Sequence, residues 1–317
     1  MTAKEFIEKR LGELKSIDKP TEVFKSDKDL EDFIFKTIMS KKFRKFSVGP
    51  EIQEKIRTAI KLSMTNNEPI KFALPFGSYK LWRFEESPEA DWAELFAMMY
   101  YAKCLKPITE VYKPGVWFDF CADDAILEPM NNIPAEDTER YKKTFRDIIS
   151  FIQPYLPSNF RFSLSSVGER YSSKEEFMLD LDSKIAELKS QKLSPLSDDQ
   201  IEMMKFNIKP IHGEEIDFEN NRILHDAFMS IPKRRAHHKV PEKIVICCTP
   251  FGTSLPVGTT KTSVVKIQTG VGVLKKTDDS YQEYIFSPSQ LEKSSPVFET
   301  ISMEGLSGKN FNKIRII

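Results

Sequence analysis

KPGVWFDFCADDAILEPMNN, residues 113–132, decides the fold. Pro114-Gly115 is a turn signal. It launches an apolar, aromatic run from Val116 to Cys121, which stops at Asp123-Asp124. A run of about six such residues between turn signals predicts a buried strand. In an open α/β sheet, ligands gather beyond the carboxyl ends of the strands. Asp123, Asp124 and Glu128 therefore stand where such a fold does its chemistry. The competing reading is that Asp123 and Asp124 cap a loop or the next helix.

Working outward, PIKFALPFGSYKLWR (69–83) repeats the pattern upstream. Phe72, Ala73 and Leu74 are its buried run, and Pro75 is expected to end it. The polar loop that follows carries Ser78 and the cations Lys80 and Arg83, which suit phosphate or carboxylate. The spacing is not that of a Walker loop. Between the two strands, a helix from about Ala90 to Lys103 is dense in aromatics (Trp92, Phe96, Tyr100, Tyr101), which reads as core. Downstream, a helix starts at Pro134 with acidic residues in its first turn and runs to Ile152. A strand Phe160–Leu164 leads into a loop with Arg170. Helices over 173–191 and 198–206 follow, then Arg222, His225 and the cluster Arg234, Arg235, His237 and His238. Lys243–Cys248 is a further strand, Thr249–Ser254 a turn, and Thr262–Leu274 reads as one or two more strands.

The expected class is α/β, Rossmann-like: a mainly parallel central sheet flanked by helices, with C-terminal β-hairpin strands. Three helical patterns open the chain, so residues 1–66 are expected as a helical segment packed on a main domain of 67–317. Between the second and third helices, KKFRKF (41–46) is either a phosphate contact or a solvated helix end.

Composition narrows the function classes. Forty-seven basic and 47 acidic residues give no net charge, which argues against a dedicated nucleic-acid protein. Twenty-four Phe residues imply a large aromatic core. Cys104, Cys121, Cys247 and Cys248 show no CxxC spacing and read as free core thiols of a reducing compartment. The charged N-terminus and the lack of a long apolar run point to a cytoplasmic protein without membrane contact. The grouped histidines supply at most part of a metal set, so no metal ligands are assigned. An anion site of Arg234, Arg235 and a histidine, or a plain polar loop, remain the alternatives.

The order of these segments resembles the isocyanide (isonitrile) synthase family, also described as the pyoverdine/dityrosine biosynthesis family. ALPFGSYKLWR (73–83) is similar to the family's strand and lysine-bearing loop. Tyr112-Lys-Pro-Gly115, VWFDFCADD and the downstream helix with Tyr141 resemble its central block. RRAHHKVPEKIVICCTPF (234–251) matches a later Arg/His segment, strand and Thr-Pro turn. Two departures stand out. The family's first loop carries Lys-Ser-Pro-Asn where this chain has Gly77-Ser78-Tyr79-Lys80, and its Thr-Pro turn continues into Trp-His where this chain has Phe251-Gly252.

The resemblance implies conversion of the amine of an α-amino acid to an isonitrile, with ribulose 5-phosphate as carbon donor and no metal or redox cofactor. A sugar phosphate needs fixed cations and backbone donors, for which Lys80, Arg83, Arg234 and Arg235 are candidates with Ser78 a further substrate-binding residue, while Arg170 suits the amino-acid carboxylate. The proton shuttle falls to His237 or His238, or to Asp123 or Asp124 if burial raises their pKa. An iron/2-oxoglutarate oxygenase acting downstream and a homodimer are further expectations. Two other classes fit the same residues. In a nucleotide-sugar transferase, the Asp pair would hold a divalent ion. A non-catalytic binder of phosphorylated metabolites would use the same scaffold.

Overall fold

The computed structural model describes residues 1–15, 24–44, 46–77, 79–84, 86, 88–191, 194–209, 215–238, 240–247, 255–256 and 270–317. Its centre is a five-stranded parallel sheet of β1 (Ile70–Phe76), β2 (Val116–Ala122), β3 (Phe160–Ser166), β4 (Lys243–Cys247) and the short β5 (Leu255–Pro256). The order is β3-β2-β1-β4-β5, and every pairing among its described strands is parallel. The Rossmann-like expectation is met. Because β2 lies on one side of β1 and β4 on the other, the chain changes direction between β1 and β4, the switch point where such sheets receive ligands.

Gly115 sets the register. Its φ of 75° is left-handed, and an added Cβ would lie 1.8 Å from the Asn159 carbonyl oxygen. That carbonyl accepts from the Val116 amide, while the Gly115 carbonyl accepts from Ile70. The Asn159 side-chain amide donates to the carbonyls of Thr109 and Tyr112. One turn thus aligns three strands, with Ile70, Val116 and Phe160 side by side.

Alternation along the strands separates two faces. Phe72, Phe118, Phe120 and Phe162 point into one core. They meet Tyr101 of α4 (Trp92–Val111), whose ring centroid is 4.3 Å from that of Phe118, and Phe145 of α6 (Ala135–Ile152), 5.0 Å from Phe120. The N-terminal helices α1 (Ala3–Lys15), α2 (Asp27–Ile38) and α3 (Pro50–Thr65) contribute Ile7, Ile34 and Ile60 to the same core. Phe43, from the basic hexamer, is wholly buried against Phe72 and Tyr101, so at least this residue of the hexamer is core. The opposite face is polar: buried Asp119 accepts from Ser163, Ser165 and Lys243. Helices α5 (Leu127–Asn131), α7 (Lys174–Lys189), α8 (Asp198–Asn207), α9 (Phe218–Ser230) and α10 (Pro232–His238) join the sheet's other connections. A smaller core of Val167, Phe177, Leu181 and Phe228 holds α7 and α9 together.

Three boundaries differ from expectation. β1 continues through Pro75 to Phe76, because a missing N–H is tolerated one residue from a strand's end. α4 runs through Pro107 to Val111, held by buried Leu105 and Ile108. The C-terminal strands form a sheet of their own, rather than an edge of the first. β6 (Val271–Lys276) and β7 (Tyr281–Phe286) make the expected hairpin, α11 (Pro288–Ser294) intervenes, and β8 (Val297–Thr300) and β9 (Lys313–Ile316) complete the order β7-β6-β9-β8. Leu274, Ile285, Ile314 and Ile316 face the main core, and the Trp92 indole donates to the Lys313 carbonyl. Residues 257–269, where an additional strand was expected, lie outside the described residues. Cys104, Cys121 and Cys247 are free thiols, and Cys248 is outside the described residues. No helix among the described residues is long and apolar enough to cross a membrane.

Gly115→Ala should lower unfolding free energy by at least about 1–2 kcal/mol, the cost of the left-handed backbone alone, with the carbonyl clash adding to it. Urea denaturation checks this. A midpoint equal to wild type would mean that the turn does not control the three-strand register.

Candidate functional site at the carboxyl edge of the parallel sheet

A band of buried charge runs along the ends of β1, β2 and β3. The β2 exit places Asp123 and Asp124 in one place but gives them different partners. The Asp123 amide continues the ladder by donating to Phe76 O at 2.8 Å. Its carboxylate receives a two-pronged pair from Arg234 of α10, Nε to Oδ1 at 3.0 Å and Nη2 to Oδ2 at 2.8 Å. Both residues are buried. Burial pushes the Asp123 carboxyl pKa up, and Arg234 opposes the rise without cancelling it. The third guanidinium nitrogen, Arg234 Nη1, is buried and has no hydrogen-bond partner among the described residues. An unspent donor of this kind is costly. His225 of α9 is near enough to favour the Asp123 carboxylate, and its Nδ1 lies 3.2 Å from Asp226.

Asp124 turns toward α6. Lys142 Nζ is 2.8 Å from its Oδ2, and the Gly168 amide donates to its Oδ1 at 2.9 Å. A side chain at residue 168 would crowd that approach, since a Cβ would stand 2.9 Å from Oδ2 and either it or the Asp124 carboxylate would have to shift. Lys142 also pairs with Glu139 at 2.6 Å. Burial lowers the Lys142 pKa, the two carboxylates raise it more, and it stays an ammonium.

Lys80 occupies a third cluster. The segment Tyr79–Trp82 after β1 points its ammonium inward, where it is 1% exposed. It lies 3.2 Å from Asp91 and 2.6 Å from Glu94. Asp91 and Glu94 are the N-cap and N3 residues of a capping box at the start of α4. Tyr141, the neighbour of Lys142 on α6, donates to Glu94 at 2.8 Å. Two carboxylates facing one ammonium leave a buried negative charge. Burial drives Glu94 up to about 7, although Lys80 pulls the other way. For Lys80, burial is outweighed by Asp91 and Glu94, and its pKa rises.

The expected site residues therefore separate. Asp123 and Arg234 are joined directly, and Asp124 is the next residue in the chain. Lys80 has its charge consumed internally, which corrects its expected role as an open phosphate clamp. Arg83 lies over the Trp82 ring at 4.5 Å. Arg170, just past β3, and Arg235 of α10 are exposed to solvent. His237 and His238 close α10, with side chains outside the described residues, as are Ser78 and the Thr249–Ser254 turn. The sequence reading missed Asp91, Glu94 and Lys142. The Asp91-x-x-Glu94 spacing was a readable capping signal, whereas nothing in the sequence marked Lys142.

No family model matches the chain, and no curated protein does. Among solved structures, the crystal structure of the PvcA protein from Pseudomonas aeruginosa has the same fold. The TM-score is 0.61 at 13% identity, over 91% of this chain and 99% of that one. The likeness establishes a shared architecture.

Glu94 carries a pH signature. Its folded pKa of about 7 lies above its ordinary 4.5. The stability it contributes is therefore complete below pH 4.5 and is lost as pH rises through about 7. Glu94→Gln removes the titration and should flatten that decline when unfolding midpoints are compared from pH 4 to 8. An unchanged pH profile would place the titrating group elsewhere.

Proposed function

We propose that the chain is an isocyanide synthase-like enzyme, which converts the amine of an α-amino acid to an isonitrile with ribulose 5-phosphate as the carbon donor. The observation that carries this reading is the Asp123–Arg234 pair. It fixes a cation at the carboxyl edge of the sheet, beside the β1/β4 switch point, and leaves Nη1 without a partner among the described residues. A guanidinium held in this way is a phosphate or carboxylate receptor with little ordering cost on binding. The PvcA-like architecture supports the family assignment, and the resemblance of segments 73–83, 112–124 and 234–251 supports the substrate pair.

In this reading Arg234 holds the anionic end of a substrate, and Arg235 and Arg170 add cationic charge from the solvent side. Asp123, with a pKa raised by burial, is the carboxylate best suited to exchange a proton during amine condensation and elimination. His237 and His238 are retained as alternative proton carriers at the end of α10. Asp124 has a holding role, since both oxygens are engaged by Lys142 and Gly168. Residues 1–66 serve as a helical buttress to the 67–317 catalytic unit.

The metal-dependent transferase reading is less favoured. It needs the Asp pair to converge on one ion, and here the two carboxylates are committed to Arg234 and Lys142 on different helices.

Incubation with ribulose 5-phosphate and a panel of amino acids, followed by mass spectrometry, should detect an isonitrile product. Arg234→Lys keeps the charge opposite Asp123 but loses the fork, so product formation should fall about ten- to a hundredfold, from about 1.5–3 kcal/mol of lost charge-assisted bonding, with the circular dichroism spectrum retained. Absence of product from every amino acid would defeat the proposal. Activity that vanishes with a chelator and returns with a divalent ion would transfer the site to the transferase class.

A further inference from the structure

Two of the helices around the Asp123–Arg234 pair also wall a cavity. The chain leaving Asp123 and Asp124 runs directly into α5, which carries Met130. The Arg234 guanidinium lies over the Phe228 ring of α9, 5.0 Å from its centroid. His225 stands three residues before Phe228, so the two are neighbours on the surface of α9. Between α5, α8 and α9 is a cavity of about 100 Å³. Met130, Leu196, Met204 and Ile208 form its apolar side, and Arg222, His225 and Asp226 of α9 line the other.

The polar side spends its hydrogen bonds on itself. Asp226 accepts from Arg222 Nε at 3.4 Å and lies 3.2 Å from His225 Nδ1, and Arg222 also donates to the Ser194 carbonyl. The cavity therefore suits an apolar group. The unspent donor is next door. Arg234 is 2% exposed, and its Nη1 has no partner among the described residues. His225 joins the two places, since it lines the cavity and is near enough to Asp123 to favour the carboxylate that Arg234 holds. Size limits what can enter. An apolar cavity of about 150 Å³ is enough for benzene. At about 100 Å³ this one is too small for a phenol or indole ring and large enough for an isopropyl or isobutyl group.

We infer that this cavity receives the side chain of the α-amino acid whose carboxylate Arg234 holds, and that it selects a branched aliphatic side chain over an aromatic one. The inference rests on the proposed role of Arg234 as receptor for the anionic end of a substrate, and it names the substrate class of that site. The carboxylate accepts from Nη1, the donor that Asp123 leaves unused. The side chain packs against Met130, Leu196, Met204 and Ile208. Met204, from α8, limits the length of side chain that fits. Arg235 and Arg170 are then left for the phosphate of the second substrate.

The test titrates the full-length protein with leucine, alanine, tyrosine and 3-methylbutylamine, which is leucine without its carboxylate. Binding is followed by calorimetry and by the methionine methyl resonances, with Met130→Leu and Met204→Leu identifying the two signals that matter. Leucine should bind about tenfold or more tighter than alanine, the discrimination expected of a small apolar pocket, and tighter than tyrosine and 3-methylbutylamine. The Met130 and Met204 methyls should shift with leucine and stay in place with alanine. Met204 is only partly buried, so both of its size variants should fold, with circular dichroism as the check. Met204→Phe fills the cavity and should weaken leucine about tenfold while sparing alanine. Met204→Ala enlarges it and should strengthen tyrosine. Tyrosine or 3-methylbutylamine binding wild type as tightly as leucine would overturn the inference, as would no leucine binding, or leucine affinity unchanged by Met204→Phe. Leucine binding as described without an isonitrile product would sink the proposed reaction and leave the cavity assignment standing. An isonitrile formed from tyrosine and not from leucine would do the reverse.

Discussion

The structure depends on how charge is compensated where the parallel strands end. Parallel sheets bury their strands, and the exit loops of this one carry Lys80, Asp123, Asp124 and, from the helices above, Asp91, Glu94, Lys142 and Arg234, all of them buried. A charge in such a place is expensive unless a counter-charge meets it with good geometry. Each pair therefore fixes the relation between two elements. Arg234 joins α10 to β2, Lys142 joins α6 to β2, and Lys80 with Asp91 and Glu94 joins the β1 exit to α4. The adjacent residues Tyr141 and Lys142 link the last two clusters through one turn of α6. Loosening one pair would shift more than a single side chain.

The apolar architecture was legible because it is periodic. Phe118 and Phe120 alternate toward the core, the Pro114-Gly115 turn announces the strand, and the long helical patterns between strands call for parallel crossovers. The carboxyl edge was partly legible for the same reason, since strand ends follow from strand assignments. Asp123 and Arg234, 111 residues apart, were each marked as site residues, and the fold brings them together. What could not be read was which charges neutralise one another. Lys80 follows a strand, as an anion-binding lysine would, and only the Asp91 and Glu94 carboxylates at the start of α4 turn it inward. Lys142 sits on an amphipathic helix among other charged residues, and its burial depends on the exact rotation of α6 against β3. Such outcomes are tertiary, and local sequence holds no record of them.

The second sheet illustrates a related limit. Its strands were visible as a hairpin, but alternation does not say which sheet a strand joins. That was settled by shape, in the contact of Leu274, Ile285 and Ile316 with the α4 side of the core and in the Trp92 bond to Lys313. The consequence for function is spatial. The second sheet buttresses α4 behind the main sheet, and α4 in turn carries the Asp91 and Glu94 that hold Lys80. A helix that is almost wholly buried can keep those two carboxylates in place while the exit loops remain available to ligands.

The Asp123–Arg234 pair is better explained by binding than by stability. Replacing a buried ion pair with apolar residues of similar volume is often neutral or stabilising, so such a pair gives the fold little that packing could not provide. A guanidinium has five donors, and Asp123 occupies two of its three nitrogens. If the pair served stability alone, the third nitrogen would be expected to meet a carbonyl or hydroxyl, as the Lys142 ammonium does when it reaches Asp124, Glu139 and Ser166. It meets none. The contrast between a saturated lysine and an unsaturated arginine, on either side of the same Asp-Asp step, separates a structural cation from one with capacity left for a ligand.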